Sequence, residues 1–140
     1  VKRPSVVWLS LQECTGCTES FLRVDAPTVG ELVLDVVSLD FQENLMAAAG
    51  DAAERALHTA MKENAGKYVL IVTGSIPLAE DGIYTTIAGR TAREILLEAS
   101  RDAAAVIAVG ACAHWGNVQA ARPNPTRAVG VSQVVTDKPV

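Results

Sequence analysis

Aromatic side chains are scarce in this chain: Phe, Trp and Tyr together make up 4% of its 140 residues. A surface that stacks nucleobases needs such rings, and a formal charge of −4 gives a phosphate backbone nothing to bind, so a nucleic-acid partner is excluded. No apolar run approaches the ~18 residues that cross a bilayer. Val1-Lys2-Arg3-Pro4 leads straight into a strand-like run, so a signal peptide is expected to be absent here either because none existed or because it was removed. Three cysteines are an odd number, which argues against a closed disulfide framework. Cys14 and Cys17 sit together and Cys112 lies far along the chain, a pattern that asks for a metal, a redox dithiol or a ligand supplied from elsewhere. Internal repeats, low-complexity segments and domain linkers are also missing.

What is present is ordinary globular composition, 49% apolar and 20% charged, in a length that suits one domain with a real core. Ser5 to Leu11 reads as a buried strand, followed by a cysteine-bearing turn and a short helix from about Thr18. The β-branched run Glu31 to Leu39 predicts a second strand. From Glu43 to Asn64, Leu45, Ala49, Ala53, Leu57 and Met61 recur every four residues, which predicts a long amphipathic helix that Gly50 weakens and Gly66 ends. Tyr68 to Thr73 is a third strand. Gly74 to Arg90 has no clear periodicity, and Thr91 with Glu94 is a capping box opening a helix whose inward face is Ile95, Leu96 and Ala99. Ala104 to Gly110 is a fourth strand, followed by a loop with Cys112, Trp115, Pro123 and Pro125. Thr136 to Val140 reads as a turn leading into a fifth strand not included in the chain.

Strands that alternate with helices and are nearly continuous in apolar residues imply a parallel sheet covered on both faces. The expected fold is therefore α/β, a flavodoxin-like doubly wound parallel sheet with helices on both faces. In such a sheet all strand C-termini share one edge. Cys14 and Cys17 follow the first strand and Cys112 the fourth, so three thiols distant in sequence can converge there. Sulfur-only ligation suits zinc or an iron–sulfur cluster. Gly16 is expected to permit the turn that aims both sulfurs inward, with backbone N–H groups at the following helix start to hydrogen-bond them. Taken alone, Cys-x-x-Cys admits a thioredoxin-like dithiol, half a zinc site or a cluster, and Cys112 alone reads as a small buried hydrophobe. Their shared position at strand ends favours ligands.

Longer strings carry more. Trp8-Leu9 through Gln12-Glu13-Cys14-Thr15-Gly16-Cys17-Thr18-Glu19-Ser20 resembles the proximal-cluster motif of nickel–iron hydrogenase small subunits, as does Gly74-Ser75-Ile76-Pro77. Gly110-Ala111-Cys112-Ala113-His114-Trp115-Gly116 resembles that family's third-ligand loop, and Ala121 through Thr126 continues the match in order. The resemblance implies that Cys14, Cys17 and Cys112 ligate the proximal 4Fe–4S cluster. The fourth ligand, in a Pro-Gly-Cys-Pro-Pro motif, is expected beyond Val140, so that residues 1–140 form a flavodoxin-like iron–sulfur domain cut short before the fifth strand. It also implies a heterodimer or higher assembly with a large subunit carrying the nickel–iron centre, electron delivery to an acceptor such as a cytochrome, and, since many relatives are exported folded by a twin-arginine signal, a location in the periplasm or on the periplasmic face of the cytoplasmic membrane.

The resemblance places Glu13 and Thr15 beside the large subunit, a carboxylate and a hydroxyl suited to relay protons. Read from the residues alone, Glu13 is equally an acceptor for backbone N–H groups and Thr15 a shaper of the turn. Glu13, Ile76 and Trp115 mark the loops expected at the partner interface. His114 reads as a loop residue, His58 as solvated, Trp8 and Trp115 as packing residues, and Glu19 as a charge favouring a helix start. Oxygen-tolerant relatives carry extra cysteines where this chain has Gly16 and Asn117, so the six-cysteine cluster is not expected and inactivation by oxygen is. The alternatives are a stand-alone flavodoxin-like electron-transfer or flavin module, and a thiol–disulfide oxidoreductase built on Cys14 and Cys17.

Overall fold

The run Ser-Val-Val-Trp-Leu-Ser forms β1 (Ser5–Ser10), and all six of its residues are buried. A strand buried on both faces belongs in the middle of a parallel sheet. The computed structural model, which describes residues 2–140, puts it there. In chain order β1 is followed by α1 (Gly16–Leu22), α2 (Val29–Glu31), a π-helical turn (Leu32–Val36), β2 (Ser38–Gln42), α3 (Asp51–Glu63) and β3 (Val69–Thr73). Then come β4 (Ile76–Pro77), a 3-10 turn (Ala79–Gly82), β5 (Thr86–Ile87), β6 (Arg90–Thr91) and α4 (Ala92–Arg101). The last elements are β7 (Ala105–Ala108), α5 (Gly110–Trp115), α6 (Asn117–Ala120), β8 (Ala128–Val129) and a 3-10 turn (Val131–Gln133).

The main sheet has the order β2-β1-β3-β7 and is parallel throughout. The chain steps outward from β1 to β2, then crosses back to β3 and on to β7. Such a reversal leaves a crevice at the strand C-termini, between β1 and β3. This is the expected flavodoxin-like α/β arrangement. Val7, Leu9, Leu70, Val72 and Val106 of the strands pack with Leu57 and Ala60 of α3 and Ile95, Leu96 and Ala99 of α4 in one core. The Tyr68 hydroxyl donates to the Ala99 carbonyl and ties β3 to α4.

Helix α4 starts as its sequence says. The Thr91 hydroxyl accepts from the Glu94 amide at 3.2 Å, and the Glu94 carboxylate accepts from the Thr91 amide at 2.7 Å. The same device overturns the second expected strand. Thr28 and Glu31 form a capping box, so residues 29–36 wind into helical turns despite their β-branched content. The strand begins only at Ser38. The long helix expected from Glu43 starts at Asp51 instead, because the buried Gln42 side chain accepts from the amides of Asn44 and Leu45 and curls the chain first. Gly50, at φ 55°, is the residue before the helix rather than a weak point within it. The aperiodic stretch 74–90 contains a β5–β6 hairpin whose two turn residues, Ala88 and Gly89, both have positive φ, as a two-residue primed turn requires. Cys112 is on a helix, α5, not in a loop. At six and four residues, α5 and α6 are too short to display a period. Among residues 134–140 no strand forms.

Candidate metal centre

The first cysteine loop is pinned to the end of β3. The Leu11 amide donates to the Thr73 carbonyl at 2.9 Å, and Gln12 and Ser75 exchange backbone hydrogen bonds of 3.2 and 2.9 Å. Gly74 permits this approach: at φ 91°, a Cβ there would lie 2.7 Å from the Gln12 nitrogen. The left-handed residue of the cysteine turn is Thr15, at φ 69°, not Gly16 as expected. A β-branched residue in that region is strained, and the strain lies at the centre of the Cys14–Cys17 turn. Gly16 contributes space instead, since a Cβ on it would sit 3.2 Å from Cys14 Sγ. Helix α1 is anchored by buried Thr18, whose hydroxyl accepts from Gln42 Nε2 at 3.0 Å.

The second loop arrives from β7. Gly110, at φ 84°, opens α5, and a Cβ on it would lie 2.3 Å from Cys17 Sγ. The backbone leading into the Cys112 helix therefore touches the Cys17 sulfur, 93 positions earlier in the sequence. Cys17 Sγ also lies 3.8 Å from the Val109 carbonyl oxygen. Burial pushes the Cys17 thiol above its ordinary pKa, and the negative groups of Glu13, Cys112 and Cys14 push it further. All three thiols thus share one electrostatic neighbourhood. Cys14 is exposed, Cys17 half-buried and Cys112 buried. Among the described residues no three His, Cys, Asp or Glu side chains close around one point tightly enough for a single metal ion. Three free thiols are soft donors of the kind an iron–sulfur cluster takes, one thiolate to each iron, so the donors present fit such a cluster in kind.

Glu13 is half-buried beside this site. Its Oε1 lies 3.4 Å from Asn44 Nδ2, and its Oε2 is buried with no partner among the described residues. Behind it is a carboxyl that sequence reasoning missed. Glu43 Oε1 accepts from the Ser10 amide at 3.1 Å. Burial pushes the Glu43 carboxyl up to about 7, against the downward pull of backbone hydrogen bonds, with the Glu13 and Glu54 charges adding to the rise. Nothing local marks it, because it occupies what reads as the first turn of a solvated helix. Thr15 is exposed.

The other singled-out residues divide. Trp8 is packed, its Nε1 donating to Thr73 Oγ1 at 3.1 Å and its ring edge-on to Phe21. Trp115, expected to pack, is instead 57% exposed, with neighbouring Val118 at 78%. Ile76, expected at a partner interface, is fully buried within this chain and pairs with Val129. His114 is exposed. His58 is half-exposed, 3.6 Å from Glu98, and Glu19 pairs with Arg23 at 2.6 Å on the surface. No described helix is long and apolar enough to cross a membrane.

Together these features define a flavodoxin-like α/β domain that gathers three free thiols at the C-terminal edge of its sheet. Residues 14–140 match the family described as NADH ubiquinone oxidoreductase, 20 Kd subunit, and the chain belongs to that family. Within it, the chain corresponds to the N-terminal portion of nickel–iron hydrogenase small subunits. It is 51% identical over 138 residues to the uptake hydrogenase small subunit of Azotobacter vinelandii, covering 99% of this chain and 38% of that protein. It is 52% identical over 134 residues to the periplasmic [NiFe] hydrogenase small subunit 1 of Nitratidesulfovibrio vulgaris, covering 96% and 42%. The recombinant [NiFeSe] hydrogenase of Desulfovibrio vulgaris Hildenborough superposes with a TM-score of 0.93 at 35% identity, over 98% of this chain and 50% of that one. The chain thus spans about two fifths of the length of these curated relatives.

Proposed function

We propose that this chain is the part of a nickel–iron hydrogenase small subunit that holds the proximal 4Fe–4S cluster through Cys14, Cys17 and Cys112. The observation that carries the reading is the contact of the Gly110 backbone with Cys17 Sγ, which brings the third cysteine's helix onto the Cys-x-x-Cys turn. Bound there, the cluster supplies a one-electron acceptor. The hydrogen chemistry, H2 to two protons and two electrons and the reverse, belongs to the nickel–iron centre of a partner large subunit. A four-iron cluster takes four protein ligands; residues 1–140 are the flavodoxin-like unit that supplies three thiolates, and the fourth ligand lies outside them.

This chain's residues have three tasks in that reading. The loops after β1, β3 and β7 hold the thiolates in place and keep the two inner sulfurs away from water. Glu13 and Thr15 take and pass protons on the side facing the partner, and Glu43, with its carboxyl near neutrality, holds a proton behind Glu13. The exposed Trp115 and Val118, on the α5–α6 turn that carries Cys112, offer the apolar surface the large subunit covers. Electrons leave to an acceptor such as a cytochrome, on the periplasmic side.

Iron and acid-labile sulfide analysis with optical and paramagnetic resonance spectra, on the full-length subunit with its partner, tests this. We expect a four-iron signal that Cys112→Ser removes or converts to a lower-iron form, with loss of electron delivery. Absence of iron and sulfide from the unaltered assembly would refute the reading. So would a fully active Cys112→Ser assembly with an unchanged spectrum.

A further inference from the structure

After α5 the chain turns back at left-handed Gly116 and enters α6. This fold-back returns two carboxamides to the buried Cys112 sulfur. Asn117 Nδ2 lies 3.4 Å from Cys112 Sγ, and Gln119 Nε2 lies 3.5 Å from it. Asn117 sits at φ 48°, a region Asn tolerates better than most residues. Gln119 Nε2 also donates to the Gln12 carbonyl at 2.8 Å. A carbonyl only accepts, so this bond fixes which end of the Gln119 amide is the donor. Gln119 Oε1 also lies 3.5 Å from the sulfur, a contact a protonated thiol makes; a thiolate takes the N–H instead. Gln119 therefore bridges the two cysteine loops, and Asn117 supplies a second donor to the same sulfur.

We propose that Asn117 and Gln119 are positioning residues for the Cys112 thiolate, two neutral N–H donors that hold the sulfur and raise the reduction potential of the group it ligates. The proposal rests on the reading of Cys112 as a cluster ligand. Hydrogen bonds to ligand sulfurs are among the factors that set cluster potentials. A donor favours the more electron-rich, reduced state, so removing it lowers the potential. Neither residue is charged, so removing either changes the donor count and leaves the formal charge alone.

Asn117→Gly keeps the left-handed backbone and removes one donor; Gln119→Met keeps the side-chain length and removes the other. The Gln12 carbonyl retains its bond from the Ser75 amide at 2.9 Å, which preserves the loop contact. The experiment uses the full-length subunit with its large subunit and combines iron and sulfide counts with a redox titration followed by paramagnetic resonance. We expect unchanged iron and sulfide, with the reduction equilibrium of the double variant shifted about tenfold toward the oxidised state, ~59 mV for a one-electron couple. Each single variant should show part of that shift. An unchanged midpoint with the cluster retained would overturn the proposal while leaving Cys112 a ligand. Loss of the cluster from both single variants would also overturn it, by making the carboxamides structural supports. If the unaltered assembly held no iron and sulfide, the reading beneath the proposal would fail instead.

Discussion

Replacing Gly110 with alanine probes the meeting of the two cysteine loops at its tightest point. The new Cβ would lie 2.3 Å from Cys17 Sγ, against 3.4 Å for the start of ordinary van der Waals contact, so about 1 Å of retreat is needed. Neither side yields easily. Cys17 rides on α1, which buried Thr18 fastens to Gln42, and the Val109 amide before Gly110 is bonded to the Val72 carbonyl at 2.9 Å. Sγ can escape by rotating about χ1, which takes it out of the site. A φ of 84° adds backbone strain of about 1–2 kcal/mol for any L-residue. The expected result is destabilisation of that order together with loss of iron and sulfide. Gly89→Ala is the control, because Gly89 has φ 77° but nothing within 4 Å of its Cβ position. It should cost the same backbone strain and leave the iron content intact. Iron and sulfide per subunit, paramagnetic resonance and thermal unfolding of the full-length assembly read both effects. If Gly110→Ala kept a full cluster with an unchanged spectrum, the convergence of the two loops on one site would be refuted.

Glu43 predicts a pH dependence of stability. Its folded pKa of about 7 exceeds the ordinary 4.5, so the native state binds its proton more tightly than the unfolded chain. The resulting stabilisation is complete below the ordinary value and lost as pH rises through 7, up to about 3 kcal/mol. Glu43→Gln keeps an acceptor for the Ser10 amide and should flatten that slope; denaturant unfolding between ~pH 4 and ~pH 8 measures it, and a flat profile for the unaltered chain would contradict burial of this carboxyl. Lys138 predicts a capping effect at the end of α4. Its Nζ donates to the carbonyls of Ser100 and Arg101 in the last turn of α4 at 2.6 and 3.1 Å, where helix acceptors lack intrahelical partners, and to the Ala103 carbonyl just beyond it at 3.1 Å. Lys138→Met should cost about 1–2 kcal/mol, and an unchanged unfolding midpoint would show the cap to be idle.

The sequence by itself determined the parallel sheet and its cysteine-bearing edge. Val6 to Leu9, Leu70 to Val72 and Val106 are apolar on both faces, which leaves a strand no solvated side, and Thr91 with Glu94 states where α4 begins in purely local chemistry. The Leu32–Val36 run is helical for an equally local reason, because the Thr28–Glu31 cap one turn earlier outweighs its β-branched content. Tertiary structure decided what local pattern leaves open. Gln42, buried against α1, curls the chain that would otherwise continue as helix from Glu43. The cysteine positions were legible because a strand end in a parallel sheet is a fixed place. The rest of the site was not legible, because it consists of approaches between distant segments: Gly110 against Cys17, Gln119 against Gln12, Glu43 behind Glu13. Sequence spacing records which residues a chain owns; only packing sets which atoms touch, and with them the desolvation that lifts Glu43 and the donors that meet Cys112.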